Sequence, residues 1–135
     1  MEEPGRPTVL VVEDDPAVRE LFGEALGPAG YGVEASATLP EALAILGRGG
    51  IAVILTDALG ADRTGPDLAF FGSLRAVAPG VPIILCTARP WARDVDAGRH
   101  RLVAVLPKPF ELDGLLGAIA RAVRPDDVAA PRPSP

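Results

Sequence analysis

The sequence predicts an α/β protein of the (βα)5 type, a doubly wound parallel five-stranded sheet with helices on both faces. Three observations predict it. Five short apolar runs punctuate the 135 residues, and four are almost unbroken, as strands buried on both faces of a parallel sheet must be. Segments with helical apolar spacing, bounded by Asp, Pro and Gly, lie between the runs. The alternation continues to the last helix, and right-handed crossovers then distribute the helices over both faces.

The first strand is Val9–Val12. Asp15 can cap the helix that follows, with Pro16 at its first position; Leu21, Phe22, Ala25 and Leu26 form its apolar stripe, and Gly27 to Gly30 end it. Tyr31–Ala35 is a weaker second strand, and Leu39 to Leu46 a shorter helix stopped by Gly47, Gly49 and Gly50. Ile51–Leu55 is the third strand. Leu68, Phe71 and Leu74 mark the third helix, which ends before Pro79-Gly80. Val81–Leu85 is the fourth strand, and the fourth predicted helix, Pro90 to about Ala97, has the weakest apolar face. Leu102–Leu106 is the fifth strand. The fifth predicted helix repeats apolar residues at Leu112, Leu115, Leu116, Ile119, Ala120 and Val123. Residues 1–7 read as an N-terminal extension, 8–124 as one domain, and 125–135 as a Pro-rich disordered tail or linker.

Composition narrows the function. The chain is 48% apolar and 23% charged, ordinary for a soluble domain. A net charge of −5 argues against a general nucleic-acid or anionic-membrane binder. The single cysteine, Cys86, lies within an apolar run and reads as a small buried hydrophobe. Met1-Glu2-Glu3-Pro4-Gly5 lacks the basic and apolar segments of a signal peptide, and no apolar stretch is long enough to span a bilayer, so a cytoplasmic protein is expected. Lysine occurs once, at Lys108, although Lys and Arg together number 13. An ammonium on a thin stem suits a single anion in a narrow site, where a guanidinium fork does not fit.

In open α/β sheets ligands bind beyond the carboxyl ends of the strands, where strand order reverses. Strand one runs into Glu13-Asp14-Asp15, strand three into Asp57, strand four into Thr87 and strand five into Lys108. In the flavodoxin-like order 2-1-3-4-5, strands one and three are neighbours, so Asp14, Asp15 and Asp57 are expected to converge. Three carboxylates in one cleft repel unless a cation joins them, and an oxygen-only, water-open site suits Mg²⁺. Lys108 can reach toward Asp57 or an anion beside it, and Thr87 can donate to the same anion. This set permits phosphoryl transfer to Asp57, a carboxylate nucleophile.

Glu13-Asp14-Asp15-Pro16, Asp57, Thr87-Ala88 and Lys108-Pro109-Phe110 resemble the receiver domain of bacterial two-component response regulators, over about Thr8 to Arg124. The resemblance implies that Asp57 is the phospho-acceptor, Asp14 and Asp15 the acidic metal-binding pair, Thr87 the switch hydroxyl and Lys108 the phosphate-sensing lysine. It implies Mg²⁺ as cofactor, with the main-chain carbonyl of Leu59 completing the metal shell, and a cis Lys108-Pro109 bond. Gly65 stands where the family usually has Gly. The implied partners are a sensor histidine kinase or phosphotransfer protein and a downstream effector or fused output domain. The face made by the fourth helix, fifth strand and fifth helix would switch, and would serve a homodimer if one forms. No direct nucleic-acid or membrane contact is expected, and no enzyme activity beyond self-phosphorylation and slow autodephosphorylation.

Three positions depart from the family pattern. Ala58-Leu59-Gly60-Ala61 replaces a common Met-Pro loop. Val105 stands three residues before Lys108, where the family has an aromatic ring. Leu59 and Arg89 flank the site and are poor at orienting a hydrolytic water, so a long-lived phosphorylated form is expected. A phosphorylation-independent interaction module is the alternative function. A turnover phosphatase is disfavoured, because no second acid/base residue stands beside Asp57. Trp91 reads equally as packing or as part of a partner face, and His100 as part of a solvated turn.

Overall fold

A computed structural model of the chain describes residues 6–57, 68–88, 96–98 and 101–123. Five parallel strands, β1 (Thr8–Val12), β2 (Gly32–Ser36), β3 (Val53–Thr56), β4 (Ile83–Thr87) and β5 (Ala104–Pro107), pair in the order β2-β1-β3-β4-β5. Among the described residues the helices are α1 (Pro16–Leu26), α2 (Leu39–Gly47), α3 (Leu68–Val77) and α4 (Leu112–Ala122). The expected fold class and strand order are therefore observed. Most of the fourth predicted helix lies outside the described residues, with Leu59, Gly65, Arg89, Trp91, His100 and the segment 125–135, and the fifth predicted helix is α4.

Successive strand residues point to opposite faces, and the core divides accordingly. Leu10, Val12, Ile54, Ile83 and Leu85 pack with Ala42 and Leu46 of α2 and with Phe70, Phe71 and Leu74 of α3. Val9, Val11, Val53, Leu55, Ile84 and Cys86 pack with Phe22 and Leu26 of α1 and with Leu115, Ala118, Ile119 and Ala122 of α4. The unbroken apolar runs follow directly: every residue of β1, β3 and β4 is buried. β2 lies at an edge and leaves Glu34 and Ala35 exposed, which explains its weaker pattern.

Three strands start later than their apolar runs. Ile51, Val81 and Leu102 precede the ladders, because regular pairing begins only where the neighbouring strand is in register. Single bonds lead into them, from Ala52 N–H to the Thr8 carbonyl (2.9 Å) and from Val103 N–H to the Ile83 carbonyl (2.8 Å). The α4 stripe is also shifted from the expected one. Ala118 and Ala122 join Leu115 and Ile119 in the core, whereas Ala120 is exposed and Leu112 is 49% exposed. Two alanines thus lie on the core face of α4, and Leu112 lines a surface pocket together with Val18, Leu21 and Phe22 of α1.

Helix ends follow their capping residues. Asp15 caps α1 by accepting from the Ala17 N–H (2.9 Å), with Pro16 in the first turn. Thr38 caps α2 by accepting from Glu41 N–H (3.3 Å), while Glu41 Oε1 accepts from Ala37 N–H (2.8 Å). After α1 the chain reverses through Gly30, whose φ of 101° favours glycine, into β2.

Cys86 is buried in β4, and burial pushes its thiol up to about 12 from an ordinary value of 9.0. A disulfide reagent is expected to leave the native thiol unmodified at neutral pH and to react fully once the chain is unfolded in guanidinium chloride. The unfolded chain ionises first as pH rises, so the contribution of Cys86 is intact below about 9 and is lost progressively above it. Cys86→Ala should therefore flatten the alkaline loss of stability measured by denaturant titration.

Candidate functional site

The carboxyl ends of four strands assemble the site. Val12 pairs with Thr56, so the residues that follow them, Glu13 and Asp57, leave the sheet side by side. Asp57 N–H donates to the Val12 carbonyl (2.9 Å), and Glu13 N–H donates to the Ser36 carbonyl (3.0 Å). Thr56 Oγ1 donates to the Asp57 carbonyl (2.7 Å). At the other side Thr87 pairs with Pro107, and Lys108 N–H donates to the Thr87 carbonyl (2.8 Å). The Lys108–Pro109 bond is cis, as expected. Phe110 then stacks on Phe22 of α1, with ring centroids 6.0 Å apart and planes 7° apart, which ties the segment after β5 to the first helix.

These backbones bring Glu13, Asp14 and Asp57 together. One oxygen of each lies within 4.8 Å of the others, a group that could hold a metal ion. Oxygens around an Mg²⁺ with ligands at about 2.1 Å are at most about 4.2 Å apart, so a small tightening would close the site. All three donors are hard oxygens, and Asp14 is exposed, leaving room for water ligands.

Asp14, Asp15 and Asp57 were expected to converge; the carboxylate grouped with Asp14 and Asp57 is that of Glu13, while Asp15 Oδ1 accepts from the Ala17 N–H. The sequence held the signal. Pro16 at the first helical position makes the preceding residue the cap, so the acids left for the site are the two before it. Leu59, expected to offer a carbonyl, lies outside the described residues.

Lys108 reaches this cluster from β5. Its Nζ donates to Glu13 Oε1 at 2.8 Å and lies 3.9 Å from Asp57 Oδ1. The first is a charge-assisted hydrogen bond, and the second is an electrostatic contact. Glu13 is 2% exposed. Burial raises its pKa above the ordinary value, aided by the charge on Asp57 and opposed by the Lys108 bond. For Lys108, burial acts to lower the pKa, but the Glu13 hydrogen bond and the charges on Asp57 and Glu13 together outweigh it and raise it. With all four groups ionised the site carries two net negative charges. Thr87 is buried at the end of β4.

Beside the site lies an apolar cavity of about 600 Å³ between α1 and α4, lined by Val18, Leu21, Phe22, Phe110, Leu112 and Leu115, with Ala88 and Lys108 at its margin. Leu21, 63% exposed, and Leu112 are large apolar side chains left at the surface there. Composition alone gave no sign of this groove. Among the described residues no helix is long and apolar enough to cross a membrane.

Residues 9–120 match the family described as the response regulator receiver domain. The DNA-binding transcriptional regulator NtrC of Rhizobium meliloti is 29% identical over 117 residues, 86% of this chain and 24% of its own length. The response regulator MprA of Mycobacterium leprae is 34% identical over 128 residues, 90% of this chain and 54% of its own. The chain thus spans from about a quarter to about half the length of these curated relatives. Among solved structures, the response regulator TrrA of Thermotoga maritima in complex with Mg²⁺ and BeF superposes with a TM-score of 0.72 at 26% identity, covering 87% of this chain and 99% of that one.

Neighbouring aspartates should respond oppositely to substitution. Asp15→Ala should lower stability by about 1 kcal/mol through loss of the cap. Asp14→Asn should raise the denaturation midpoint in metal-free buffer by relieving repulsion among the three carboxylates. Urea unfolding of both variants in the presence of a chelator checks the pair.

Proposed function

We propose, because this chain belongs to the response regulator receiver domain family, that Asp57 accepts a phosphoryl group from a sensor histidine kinase or phosphotransfer protein and thereby alters the chain's contact with an effector. The observation that carries this reading is the convergence of Glu13, Asp14 and Asp57 on one ammonium, Lys108. An Asp57 carboxylate oxygen attacks the phosphorus of the donor's phosphohistidine. A P–O bond forms as the P–N bond breaks, and the leaving imidazole takes up a proton. Lys108, 3.9 Å from Asp57 Oδ1, is near enough to meet an oxygen of the arriving group. The Thr87 hydroxyl donates to another.

Mg²⁺ fits the hard-oxygen donor set, with Glu13, Asp14 and Asp57 as its protein carboxylates and the Leu59 carbonyl completing the shell. When bound, it would offset negative charge on the phosphoryl oxygens. Asp15 is kept for its cap. The product is a signalling state rather than a released compound, and the residue types at positions 59 and 89, Leu and Arg, favour slow hydrolysis because neither orients a water well. A phospho-aspartate half-life of seconds in Mg²⁺ buffer would contradict that lifetime.

The donor is a protein, and the apolar groove supports a seat for it. Lys108 borders both the groove and the acidic cluster, so a protein delivering a phosphohistidine to Asp57 covers Leu21 and Leu112. The cytoplasm is the setting. Residues 8–124 form the receiver, and 125–135 are a tail or linker. The effector is a separate protein or a fused output domain, reached through the face made by the segment before β5, β5 itself and α4, which would also serve a homodimer.

Val105 favours a second reading, a phosphorylation-independent interaction module, because its position lacks the aromatic ring through which the family relays the signal. Acetyl phosphate with Mg²⁺ decides between them. The wild type should shift on a phosphate-affinity gel and Asp57→Asn should not; unshifted wild type supports the module. Leu21→Glu should keep labelling by acetyl phosphate near wild type while slowing transfer from the cognate kinase at least tenfold, as measured with radiolabelled phosphate.

A further inference from the structure

We propose that Arg75 is a latch on the turn that leads into β5: its guanidinium holds Arg101 in a strained left-handed backbone conformation, and the turn opens more readily when that contact is lost. The turn belongs to the segment before β5, part of the face given above to the effector. Its bearing on an effector rests on the phospho-acceptor reading; the latch itself does not.

Two bonds close the chain ahead of β5. Leu102 N–H donates to the Ala97 carbonyl (2.8 Å), and Arg101 N–H donates to the Gly98 carbonyl (3.1 Å). A six-to-one bond enclosing a five-to-two bond requires a left-handed residue at the fifth position. Glycine usually fills that position, because a Cβ there is crowded by the following carbonyl oxygen. Here the fifth residue is Arg101, with φ 57°, and among the described residues no other non-glycine has a positive φ. Gly98, three residues earlier, does not take the left-handed place. The Arg101 side chain is exposed, so its burial does not account for arginine at this point. The residues that follow are firmly placed. Leu102 packs in the core with Phe71 and Leu74, and Val103 N–H donates to the Ile83 carbonyl of β4.

The contact that offsets the strain comes from α3. Arg75 lies one helical turn after Phe71, and its guanidinium carbon stands 5.9 Å from the centroid of the Phe71 ring, within cation–π range. Its Nη2 donates to the Arg101 carbonyl at 3.0 Å. Burial, and then the charge of Arg101, press the Arg75 pKa below its ordinary value, so the contact forms against both. Phe71 is 2% exposed, which makes it a fixed support for the guanidinium. Strain at Arg101 and the bond from Arg75 are therefore opposed, and how often the turn opens depends on their difference. Position 105 gives this side of the sheet no ring to rotate; the turn gives it a point of opening controlled from α3.

Amide hydrogen exchange resolved by NMR, without any phosphodonor, tests the latch, because the Leu102 amide is protected only while the turn is closed. Arg75→Met keeps an apolar stem against Phe71 and removes the donor. It is expected to lower Leu102 protection by roughly fivefold, the worth of one hydrogen bond, and to leave the Ile54 amide, which donates to the Pro82 carbonyl, unchanged. Arg101→Gly removes the strain and should raise Leu102 protection, after correction for the intrinsic rate. The double variant should return to within about twofold of wild type, since strain and bond are then both absent. Protection of the Cys86 thiol reports whether each variant is folded; if Arg75→Met unfolds, Arg101→Gly decides. Unchanged Leu102 protection in Arg75→Met overturns the proposal, as does an equal loss at Ile54, which marks global destabilisation. Lower protection in Arg101→Gly overturns it as well. Wild type unshifted by acetyl phosphate on the phosphate-affinity gel defeats the phospho-acceptor reading, while the exchange comparison still decides the latch.

Discussion

Three carboxylates share one end of this molecule with one ammonium, and the geometry of that end follows from their balance. Two like charges 4.8 Å apart repel by about 3.5 kcal/mol at an effective dielectric near ~20. Lys108 is the counter-charge placed against them, and it stands on the far side of the sheet from β1. Its reach depends on the segment after β5 being carried over the strand ends. Lys108 N–H on the Thr87 carbonyl and Phe110 stacked on Phe22 hold that segment there. The apolar ring contact and the charged pair therefore support one another: loss of the stack frees the lysine, and loss of the lysine leaves Glu13 buried without its cation.

A parallel sheet covered on both faces is what gives this balance a fixed frame. Alternate residues of β1, β3 and β4 enter two separate cores, one under α2 and α3 and the other under α1 and α4. A slip of one residue in any of these strands would exchange its core faces, so the register is strongly specified. With Val12 opposite Thr56 and Thr87 opposite Pro107, the points at which Glu13, Asp57 and Lys108 leave the sheet are set by the hydrophobic pattern. The polar site is positioned by residues that have no polar chemistry.

The strands, their order, the Asp15 cap and the gathering of Asp14, Asp57, Thr87 and Lys108 at one edge were legible, because period, capping chemistry and switch-point topology each act locally or through simple pairing. The assignment within Glu13-Asp14-Asp15 was harder to read. Three consecutive acids look alike in sequence, and which two face the cleft is decided by the backbone as it leaves β1. Asp15, with φ −84° and ψ 115°, is committed to the start of α1. Pro16 encodes that commitment, and counting back from it recovers Glu13. The groove between α1 and α4 was not legible, because Leu21 and Leu112 fit an apolar stripe as well as any core residue. Only the burial of Ala118 and Ala122 on the core side of α4, with Leu21 and Leu112 exposed, shows that they stay outside.

Val105 bears on where a change at Lys108 is felt. It pairs with Leu85 across β4 and β5 and packs on the α2–α3 side of the core. A β-branched side chain of this size has a restricted χ1 and no polar tip to follow a hydroxyl such as that of Thr87. Rotation of a ring between buried and exposed positions is therefore closed to this chain at that point. The Lys108 segment is tied on two sides: its N–H bonds the Thr87 carbonyl at the end of β4, and through Pro109 it leads to Phe110, which stacks on Phe22 in the wall of the groove that Lys108 itself borders. At the β4–β5 side the neighbouring position holds valine, so the aromatic contact of this segment is the one made with α1.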